Sequence, residues 1–398
     1  MITLADVVAA RERVATIVRP TPVRVSDSIS RAAGRTVLLK PEHQQRTGSY
    51  KVRGAYNHIS RLAEGVAVVA ASAGNHAQGV AFAAGATGRR ATIFMPVGAS
   101  LPKVDATRSY GAEVRLIGGL VDDTLLAAGT YAAETGAVFV PPFDDPHIIA
   151  GQGTVGLELA DEAPDAEVVV VPVGGGGLIA GVATALAHTR PGTRIVGVEA
   201  EGAAAMQAAL AARQPVVLDR VATMADGIAV RCVSELTLAH ALAYVDQVVT
   251  VTEEEISGAL LLLLERAKAV VEPSGAVGLA AVLAGKVPGR GPACCILSGG
   301  NVDPLLLMKL IHHGLSAAGR YLVLRVVIAD RPGQLARLTA RLAELGLNVL
   351  DVEHHRTGLR VALDEVEVLL TLETRGPVHG SEIAAAITAD GARVEVVH

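Results

Sequence analysis

The sequence has few aromatic residues and few cysteines. Of its 398 residues, 3% are aromatic and none is tryptophan, although 51% are hydrophobic. The core must therefore be built from valine, leucine, isoleucine and alanine, which suits layered helices and parallel strands. Its three cysteines, Cys232, Cys294 and Cys295, are an odd number in a long chain. That number fits a reducing compartment better than a disulfide framework.

Long hydrophobic runs and clusters of positive charge are also missing. The longest apolar run, ALLLLL at 259–264, is closed by Glu265 and is too short to span a bilayer. The N-terminal segment MITLADVVAARERV carries charges too early for a signal peptide. The net charge is −5 and no Lys/Arg block is present, which argues against nucleic acid as a partner. We therefore expect a soluble, cytoplasmic protein that binds neither nucleic acid nor a membrane.

Short runs of β-branched residues alternate with segments of helical length over the first 315 residues. The runs have the composition of buried parallel strands and occupy 36–40, 66–72, 91–96, 113–118, 138–142, 167–174, 194–200, 247–251 and 293–299. The helical segments between them include 74–88, 121–135, 152–163 and 177–189. This alternation predicts an α/β fold with helices on both faces of the strands.

The pattern changes after SAAGR at residues 316–320. From there we predict strand 321–328, helix 333–345, strand 348–355, a turn near Gly358, strand 364–373, helix 380–389 and strand 392–397. This βαββαβ order is that of a ferredoxin-like module. We place a linker near 314–320, which separates a domain of residues 1–315 from a domain of residues 320–398.

Four consecutive glycines, Gly174 to Gly177, follow a predicted strand and precede a predicted helix. Backbone N–H groups at such a turn converge on an anion, and a phosphate is the natural ligand. The spacing of Gly175, Gly177 and Ala180 also permits a nicotinamide dinucleotide site. Against that alternative, the motif lies in the middle of the chain and no hydride-transfer group stands near it. A tight turn without a ligand is the third interpretation.

Lys51 follows the small-residue turn Thr47-Gly48-Ser49 and begins a predicted helix. Ala55, Tyr56, Ile59 and Leu62 follow at spacings that suit one face of that helix. The positive end of a helix lowers the pKa of a lysine, and a neutral amine can form a Schiff base with an aldehyde. A phosphate loop and such a lysine together suggest pyridoxal phosphate, although an ordinary surface lysine is the alternative.

Seven motifs then occur in a characteristic order: QRTGSYKVRGAYN, ASAGNHAQGVA, VGGGGLIAG, TMADGIAV, VTEEEI, EPSGA and LSGGNVD. Together they resemble the threonine dehydratases (threonine ammonia-lyases) of the fold-type II pyridoxal-phosphate enzymes, a group that includes serine racemases. The resemblance covers about residues 1–315 and implies two open, twisted, mostly parallel sheets flanked by helices. The tail, with IADRPGQLARL and GLNVLDVEHHR, resembles an ACT domain, a module that commonly binds a regulatory amino acid.

The resemblance also implies roles for individual residues. Lys51 would hold the cofactor as a Schiff base and later act as the base at the substrate Cα. Asn75 would hydrogen-bond the cofactor's 3-hydroxyl, and Ser298 would face its pyridine nitrogen. The phosphate would be cradled by Gly174, Gly175, Gly176, Gly177 and Leu178. The substrate carboxylate would be received, through main-chain N–H groups and small hydroxyls, by Ser72, Ala73, Gly74, Asn75 and His76.

The reaction that follows from these roles is deamination of L-threonine to 2-oxobutanoate and ammonia by β-elimination of water, with L-serine as a further substrate. A hydroxyl such as Ser298 is a weak partner for the ring nitrogen, which favours loss of the β-hydroxyl over racemisation. We expect Lys51 to take the α-proton and the cofactor phosphate to assist departure of that hydroxyl. Serine racemases carry a serine at the position of Ala73, where it acts as the base for the second face of the substrate. Alanine has no ionisable group, so racemisation is disfavoured here. The alternatives are an L-serine dehydratase, a racemase and a catalytically inactive amino-acid sensor.

No metal site is expected. The related racemases hold a divalent cation with a Glu, a carbonyl four residues on and an Asp six residues on, and the matching positions are Glu199, Ala203 and Ala205. The histidine pairs 312–313 and 354–355 point in different directions and lack a third ligand.

Two other motifs have local explanations. Glu272, before Pro273, either lines the site or assists the helix that follows it. Thr252 and Glu255 have the spacing of a capping box and need no catalytic role.

The tail is predicted to bind an effector. The loop before and including Pro332 and Gly333 leads into a helix starting near Pro332, whose N–H groups suit a carboxylate. By resemblance, Asn348 completes that pocket. We expect feedback control by an amino acid, with paired ACT domains forming the effector site in a homodimer or homotetramer. A dimerisation module that has lost its ligand is the alternative.

Overall fold

The computed structural model describes residues 1–119, 121–317, 319–356 and 362–397. The chain forms two compact units, Met1–Leu306 and Leu307–His398, called the first and second unit below. The helix Pro304–Ala317 spans the point of division. Among the described residues, no helix is both long and apolar enough to cross a membrane.

The first unit contains two sheets. The larger has the strands β1 (Arg24–Val25), β2 (Val37–Lys40), β7 (Val168–Pro172), β8 (Arg194–Ala200), β9 (Gln247–Val251) and β10 (Ala293–Ile296). The smaller has β3 (Val68–Ala71), β4 (Ala91–Met95), β5 (Glu113–Leu116) and β6 (Val138–Phe139). Their spatial orders are β1-β2-β10-β7-β8-β9 and β5-β4-β3-β6. All neighbours are parallel except β1 and β2. The predicted mostly parallel α/β architecture with two sheets is confirmed.

Helices separate these strands along the chain. They are α1 (Leu4–Val14), α2 (Asp27–Ala33), α3 (Lys51–Ile59), α4 (Asn75–Ala86), α5 (Leu101–Ser109), α6 (Val121–Thr135), α7 (Pro146–Glu162), α8 (Gly177–Thr189), α9 (Ala205–Ala212), α10 (Glu235–Tyr244), α11 (Glu253–Leu262), α12 (Pro273–Leu283) and α13 (Pro304–Ala317). The predicted capping box is present at α11, where Thr252 and Glu255 each accept the other's main-chain N–H. Valines of β7 are fully or almost fully buried, which places the main core around the larger sheet.

Some predicted boundaries in the first unit are wrong for identifiable reasons. The strand predicted to reach residue 142 ends at Phe139, because the prolines that follow have no N–H for a ladder. The helix predicted from residue 152 begins at Pro146, after Asp145 caps it by accepting two main-chain N–H groups. Helix α3 is buried on several sides, including at Arg53 and Asn57, rather than along one apolar face.

The second unit is a four-stranded antiparallel sheet with two helices. Its elements are β11 (Tyr321–Ala329), α14 (Gln334–Glu344), β12 (Val349–His355), β13 (Glu365–Glu373), α15 (Pro377–Ala389) and β14 (Arg393–Val396). The sheet order is β12-β13-β11-β14, and leucines and valines alternate inward along β11 and β13. The predicted βαββαβ order is confirmed. The turn predicted near Gly358 lies outside the described residues.

Helix α14 begins at Gln334, one residue after the start of the predicted helix 333–345 and two residues after Pro332, where the effector pocket was predicted. Gly333 precedes it with a φ of 87°, a left-handed conformation that cannot belong to the helix. Pro332 therefore lies in the turn before α14 rather than in its first turn.

Candidate active site

Lys51 is the first residue of α3, and the turn before it is bonded to the segment that follows β10. The Tyr50 N–H donates to the carbonyl of Ser298 at 3.2 Å, and the Gly300 N–H donates to the carbonyl of Gly48 at 2.9 Å. Ser298 is 4% exposed. Two predicted site residues from distant parts of the chain, Lys51 and Ser298, are thus brought together by main-chain hydrogen bonds.

The amine of Lys51 is held by a main-chain oxygen. Its Nζ donates to the carbonyl of Pro142 at 3.0 Å. Burial lowers the pKa of Lys51 to about 8, against an opposing effect of the Glu272 carboxylate. The neutral amine, which is the nucleophilic form, is therefore accessible near neutral pH. Sequence reasoning predicted this direction from the helix dipole, whereas burial is the cause that dominates here.

The glycine loop joins β7 to α8 and tolerates no side chain. Gly176 precedes α8 with a φ of 88°. A Cβ added to any of the four glycines would collide with a neighbour. The added Cβ would lie 2.9 Å from Ile228 Cα at Gly174 and against the Phe143 ring at Gly175. It would lie 2.6 Å from Met206 Cε at Gly176 and 2.7 Å from Gln152 Oε1 at Gly177. Leu178 is the second residue of α8 and is buried. The loop brings main-chain N–H groups to the positive end of a helix, which suits a phosphate.

Gln152 connects this loop with Lys51 and was missed by sequence reasoning. Its Nε2 donates to the same Pro142 carbonyl, at 3.5 Å, that accepts from Lys51. Its Oε1 is buried beside Gly177 and has no hydrogen-bond partner. The GQG sequence of α7 carried no signal of this role beyond glycines that allow close helix packing.

The segment from Ser72 to His76 links β3 to α4. The Ser72 hydroxyl accepts the Gly74 N–H at 3.2 Å, and α4 begins at Asn75. The first N–H groups of a helix have no partner within it, so this end suits a carboxylate. The His76 ring is buried, bonds the Val140 carbonyl at 2.9 Å, and has a pKa lowered by burial to about 3. The His76 ring is therefore neutral near pH 7, and its Nε2 is already bonded to the Val140 carbonyl.

The side chain of Asn75 is held from two sides. Its Nδ2 donates to Glu272 Oε1 at 2.6 Å, and its Oδ1 accepts from Asn301 Nδ2 at 2.7 Å. Glu272 stands at the N-cap of its own helix, α12, but makes no capping hydrogen bond there, and its carboxyl group contacts Asn75 instead. Burial raises the pKa of Glu272 to about 7, and nearby Asp226 adds to this effect. Asn301 was missed, although it stands in the SGGN motif.

A second lysine lies near the same loop. Lys103 in α5 pairs with Asp226, with 2.6 Å between Nζ and Oδ2. Its Nζ lies 4.0 Å from the position of a Cβ on Gly74. The arrangement places a cation at the edge of the predicted carboxylate loop, and sequence reasoning did not find it.

Behind α3 lies a buried network of charges. Arg53, two residues after Lys51, pairs with Glu42 at 2.8 Å and with Glu158 at 2.6 Å. Lys40 pairs with Glu158 at 2.7 Å. Lys40, Glu42 and Arg53 have no exposed surface. This network ties α3 to β2 and α7, and so fixes the helix that begins with Lys51.

Glu199 is buried at the end of β8 and bonds to main chain. It accepts the N–H of Met206 at 2.7 Å and of Gln207 at 2.9 Å, and burial raises its pKa to about 7. Among the described residues, no group of three or more His, Cys, Asp or Glu side chains could hold a metal ion.

The predicted effector residues do not meet within one chain. β11 and β12 both pair antiparallel with β13 and so run in the same direction. Asn348 stands just before β12, whereas Pro332 and Gly333 follow the far end of β11. The length of β11 separates them, roughly 27 Å at the rise of a strand. Asn348 Nδ2 instead donates to Glu373 at 3.2 Å.

The donors gathered around Lys51 fit the functional groups of pyridoxal phosphate. The glycine loop and the start of α8 suit the phosphate, and the neutral amine of Lys51 suits the aldehyde. The amide of Asn75 suits the 3-hydroxyl, and Ser298 offers a hydroxyl to the ring nitrogen. The buried Gln152 Oε1, which has no hydrogen-bond partner, is a further polar atom beside the glycine loop.

Comparison with known proteins agrees with this fit. Residues 14–299 match the model of the pyridoxal-phosphate dependent enzyme family, and residues 322–386 match that of the ACT domain. The L-threonine ammonia-lyase of Thermotoga maritima is 46% identical over 401 residues, which cover 100% of both chains.

Solved structures are similar over about four fifths of the chain. The processed threonine deaminase isoform 2 of Solanum lycopersicum has a TM-score of 0.74 and 38% identity, covering 78% of this chain and 92% of that chain. Maize serine racemase has a TM-score of 0.74 and 35% identity, covering 79% and 98%.

Proposed function

Because the chain belongs to the pyridoxal-phosphate dependent enzyme family and carries an ACT domain, we propose that it is an L-threonine ammonia-lyase. It converts L-threonine to 2-oxobutanoate and ammonia by eliminating water, and it also accepts L-serine. The observation that carries the proposal is the amine of Lys51, with a pKa lowered by burial to about 8, linked through Pro142 and Gln152 to the glycine loop. Similarity to a threonine ammonia-lyase over the whole chain supports the choice of substrate.

When bound, pyridoxal phosphate supplies an electron-accepting ring that stabilises negative charge at the substrate Cα. In our proposal Lys51 takes the proton from Cα, because a neutral amine near neutral pH is a competent base. The loop from Ser72 to His76 orients the substrate by holding its carboxylate with main-chain N–H groups. Glycines 174–177 and Leu178 would hold the phosphate, Asn75 would bind the 3-hydroxyl, and Ser298 would bind the ring nitrogen.

Two residues favour elimination over racemisation. The hydroxyl of Ser298 would share a hydrogen bond with the ring nitrogen without requiring a full positive charge there, which would favour loss of the β-hydroxyl over return of a proton to Cα. Ala73 has no ionisable group, so this position cannot return a proton to the opposite face of Cα. Serine racemase is the second candidate because maize serine racemase is similar over 79% of this chain. Formation of D-serine from L-serine would support it.

Regulation by an amino acid at the ACT domain is part of the proposal. Pro332, Gly333 and Asn348 are its contact residues. Because Asn348 lies at the end of the sheet opposite to Gly333, a pocket containing all three needs two copies of the domain in opposite orientation. The proposal therefore includes a homodimer or homotetramer.

The test is release of 2-oxo acid from L-threonine and from L-serine, compared as kcat/KM with pyridoxal phosphate supplied. We expect turnover of both and a preference for threonine. A preference for serine would keep the chemistry and change the substrate. No product from either amino acid would contradict the proposal and favour the inactive sensor.

A further inference from the structure

The nitrogen and the oxygen of the Asn75 amide are each hydrogen-bonded to a residue far away in the chain. Asn301 is 226 residues distant and Glu272 is 197 residues distant. Neither has a role in the reaction described above. Glu272 is 3% exposed, so its contact with Asn75 is shielded from water.

The direction of these hydrogen bonds is set by a main-chain carbonyl. Asn301 Nδ2 donates both to the Thr47 carbonyl at 2.7 Å and to Asn75 Oδ1 at 2.7 Å. A carbonyl oxygen can only accept, so the nitrogen of the Asn301 amide must face Thr47. Thr47 has a φ of 62°, in the left-handed region that a β-branched residue rarely adopts. The turn before Lys51 thus holds this carbonyl toward Asn301 at a conformational cost.

Gly48 makes room for the same contact. Its φ is 71°, and a Cβ there would collide with the side-chain amide of Asn301. The glycine of the RTGSYK motif is therefore required both by its backbone conformation and by the Asn301 side chain. Lys51 and Asn301 are coupled through this short turn.

The orientation of Asn301 determines that of Asn75. Because the nitrogen of Asn301 faces Asn75, it is the oxygen of the Asn75 amide that accepts there. The nitrogen of Asn75 then faces Glu272 and donates to its Oε1. An amide nitrogen carries two hydrogens, and one of them is donated to Glu272 in a hydrogen bond. The other N–H remains for a ligand.

We propose that Asn301 and Glu272 are positioning residues that lock the Asn75 amide so that its remaining N–H faces an oxygen acceptor on the bound cofactor. The inference rests on the contact proposed above between Asn75 and the 3-hydroxyl. It adds that this oxygen is held as an acceptor, which favours its ionised form. If the Asn75 amide were rotated by 180°, its nitrogen would face the amide nitrogen of Asn301 and its oxygen would face Oε1 of Glu272.

The test uses near-isosteric variants of the full-length protein. Asn301→Asp cannot donate to Thr47 or to Asn75, so it removes the lock without changing side-chain volume. Glu272→Met removes the acceptor, whereas Glu272→Gln keeps an oxygen that can accept from Asn75. Glu64→Gln, at an exposed position, is the matched control. For each, the cofactor-free protein is titrated with pyridoxal phosphate, and the dissociation constant and the ratio of the absorption bands of the ionised and neutral cofactor are measured at one pH.

We expect Asn301→Asp and Glu272→Met to weaken cofactor binding at least tenfold and to shift the band ratio toward the neutral form. We expect Glu272→Gln to stay within threefold of the wild type and the control to match it. A merely structural role would lower the melting temperature of the cofactor-free protein but leave the band ratio of the loaded protein unchanged. Affinity within twofold and an unchanged ratio in Asn301→Asp would overturn the proposal.

Two further comparisons keep the outcome decisive. If Asn301→Asp does not fold, equal affinities of Glu272→Met and Glu272→Gln would overturn the proposal, and a tenfold difference would support it. Asn75→Ala separates the inference from its premise. Normal binding and spectrum in Asn75→Ala would refute the contact between Asn75 and the cofactor. Impaired binding there, with normal binding in Asn301→Asp, would refute the lock alone.

Discussion

The two units of the chain differ in what they bury. The first unit buries Lys40, Glu42, Arg53, Glu199 and Glu272 to 3% exposure or less. In the described part of the second unit, Thr374 is the one polar side chain buried to a similar degree. The ion pairs of the second unit, such as that of Arg325 with Glu367, are partly exposed to water.

The difference in buried charged side chains follows from the function proposed for each unit, which is catalysis in the first and effector binding in the second. A buried charge is costly unless it is paired and hydrogen-bonded, so a chain that keeps several must hold them in a rigid frame. In the first unit that frame surrounds Lys51 and Asn75, whose side chains must be oriented before a ligand arrives. The second unit has an ordinary apolar core, and its proposed pocket lies on exposed ends of the sheet, where a second copy can contribute.

The largest expected effect comes from the lysine at the centre of the first unit. Lys51→Ala should lower turnover of L-threonine at least about 10³-fold, since it removes both the attachment point and the base. It should also lack the visible absorption band of lysine-bound cofactor. Lys103→Ala removes only an ion pair with Asp226 and should keep the band. Normal turnover by Lys51→Ala would contradict the assignment.

Matched arginine substitutions test the comparison of the two units directly. Arg53→Met removes the buried cation from Glu42 and leaves Glu158 with Lys40 alone, and it should lower the free energy of unfolding of the first unit by about 3–5 kcal/mol. Arg325→Met in the second unit breaks partly exposed pairs and should cost about 1 kcal/mol or less. Urea denaturation followed by circular dichroism measures both. If both variants lost the same free energy of unfolding, buried ion pairs would not distinguish the first unit from the second.

Buried carboxyl groups should give the first unit a characteristic dependence on pH. Burial raises the pKa of Glu199 from 4.5 to about 7, so between these values the folded state binds more protons than the unfolded state. The free energy of unfolding should therefore fall as pH rises through this window.

Glu199→Gln measures that contribution. From pH 5 to pH 8 the wild type should lose about 2–3 kcal/mol more than the variant, each measured without cofactor by urea denaturation. The difference between the two proteins cancels the titration of the other groups. Parallel pH profiles would show that Glu199 has an ordinary pKa.

The smallest effect is expected at the proposed effector site. Asn348→Ala should weaken binding of the effector to the full-length protein roughly tenfold, about 1.4 kcal/mol. Calorimetry with isoleucine, valine, leucine and serine identifies the ligand first, and exposed Glu382→Gln is the control. Absence of heat with all four amino acids would instead favour a dimerisation module without a ligand.

Sequence reasoning succeeded where the signal was local. The continuous run of valines in β7, the glycine loop after it, and the Thr252–Glu255 capping box are all encoded within a few neighbouring residues. The order of elements in the second unit was predictable for the same reason. The family resemblance added the division into two sheets, because local patterns do not say which strands pair.

Contacts between distant residues were not predictable. Asn75 meets Asn301 and Glu272 only because α4, α12 and the end of β10 converge in the fold. Arg53 looks like an exposed helical arginine in the sequence, and only its pairing with Glu42 and Glu158 explains its burial. Such sites violate the usual pattern of polar residues outside, and the violations cluster where the chemistry is proposed.

The most direct test is to find which lysine carries the cofactor. The protein loaded with pyridoxal phosphate is reduced with borohydride, digested, and examined by mass spectrometry for the peptide that retains the pyridoxyl group. We predict a single labelled position, Lys51, because its buried amine has a lowered pKa and faces the polar groups of the site. Labelling of Lys103, or of no lysine, would contradict the assignment of the active site.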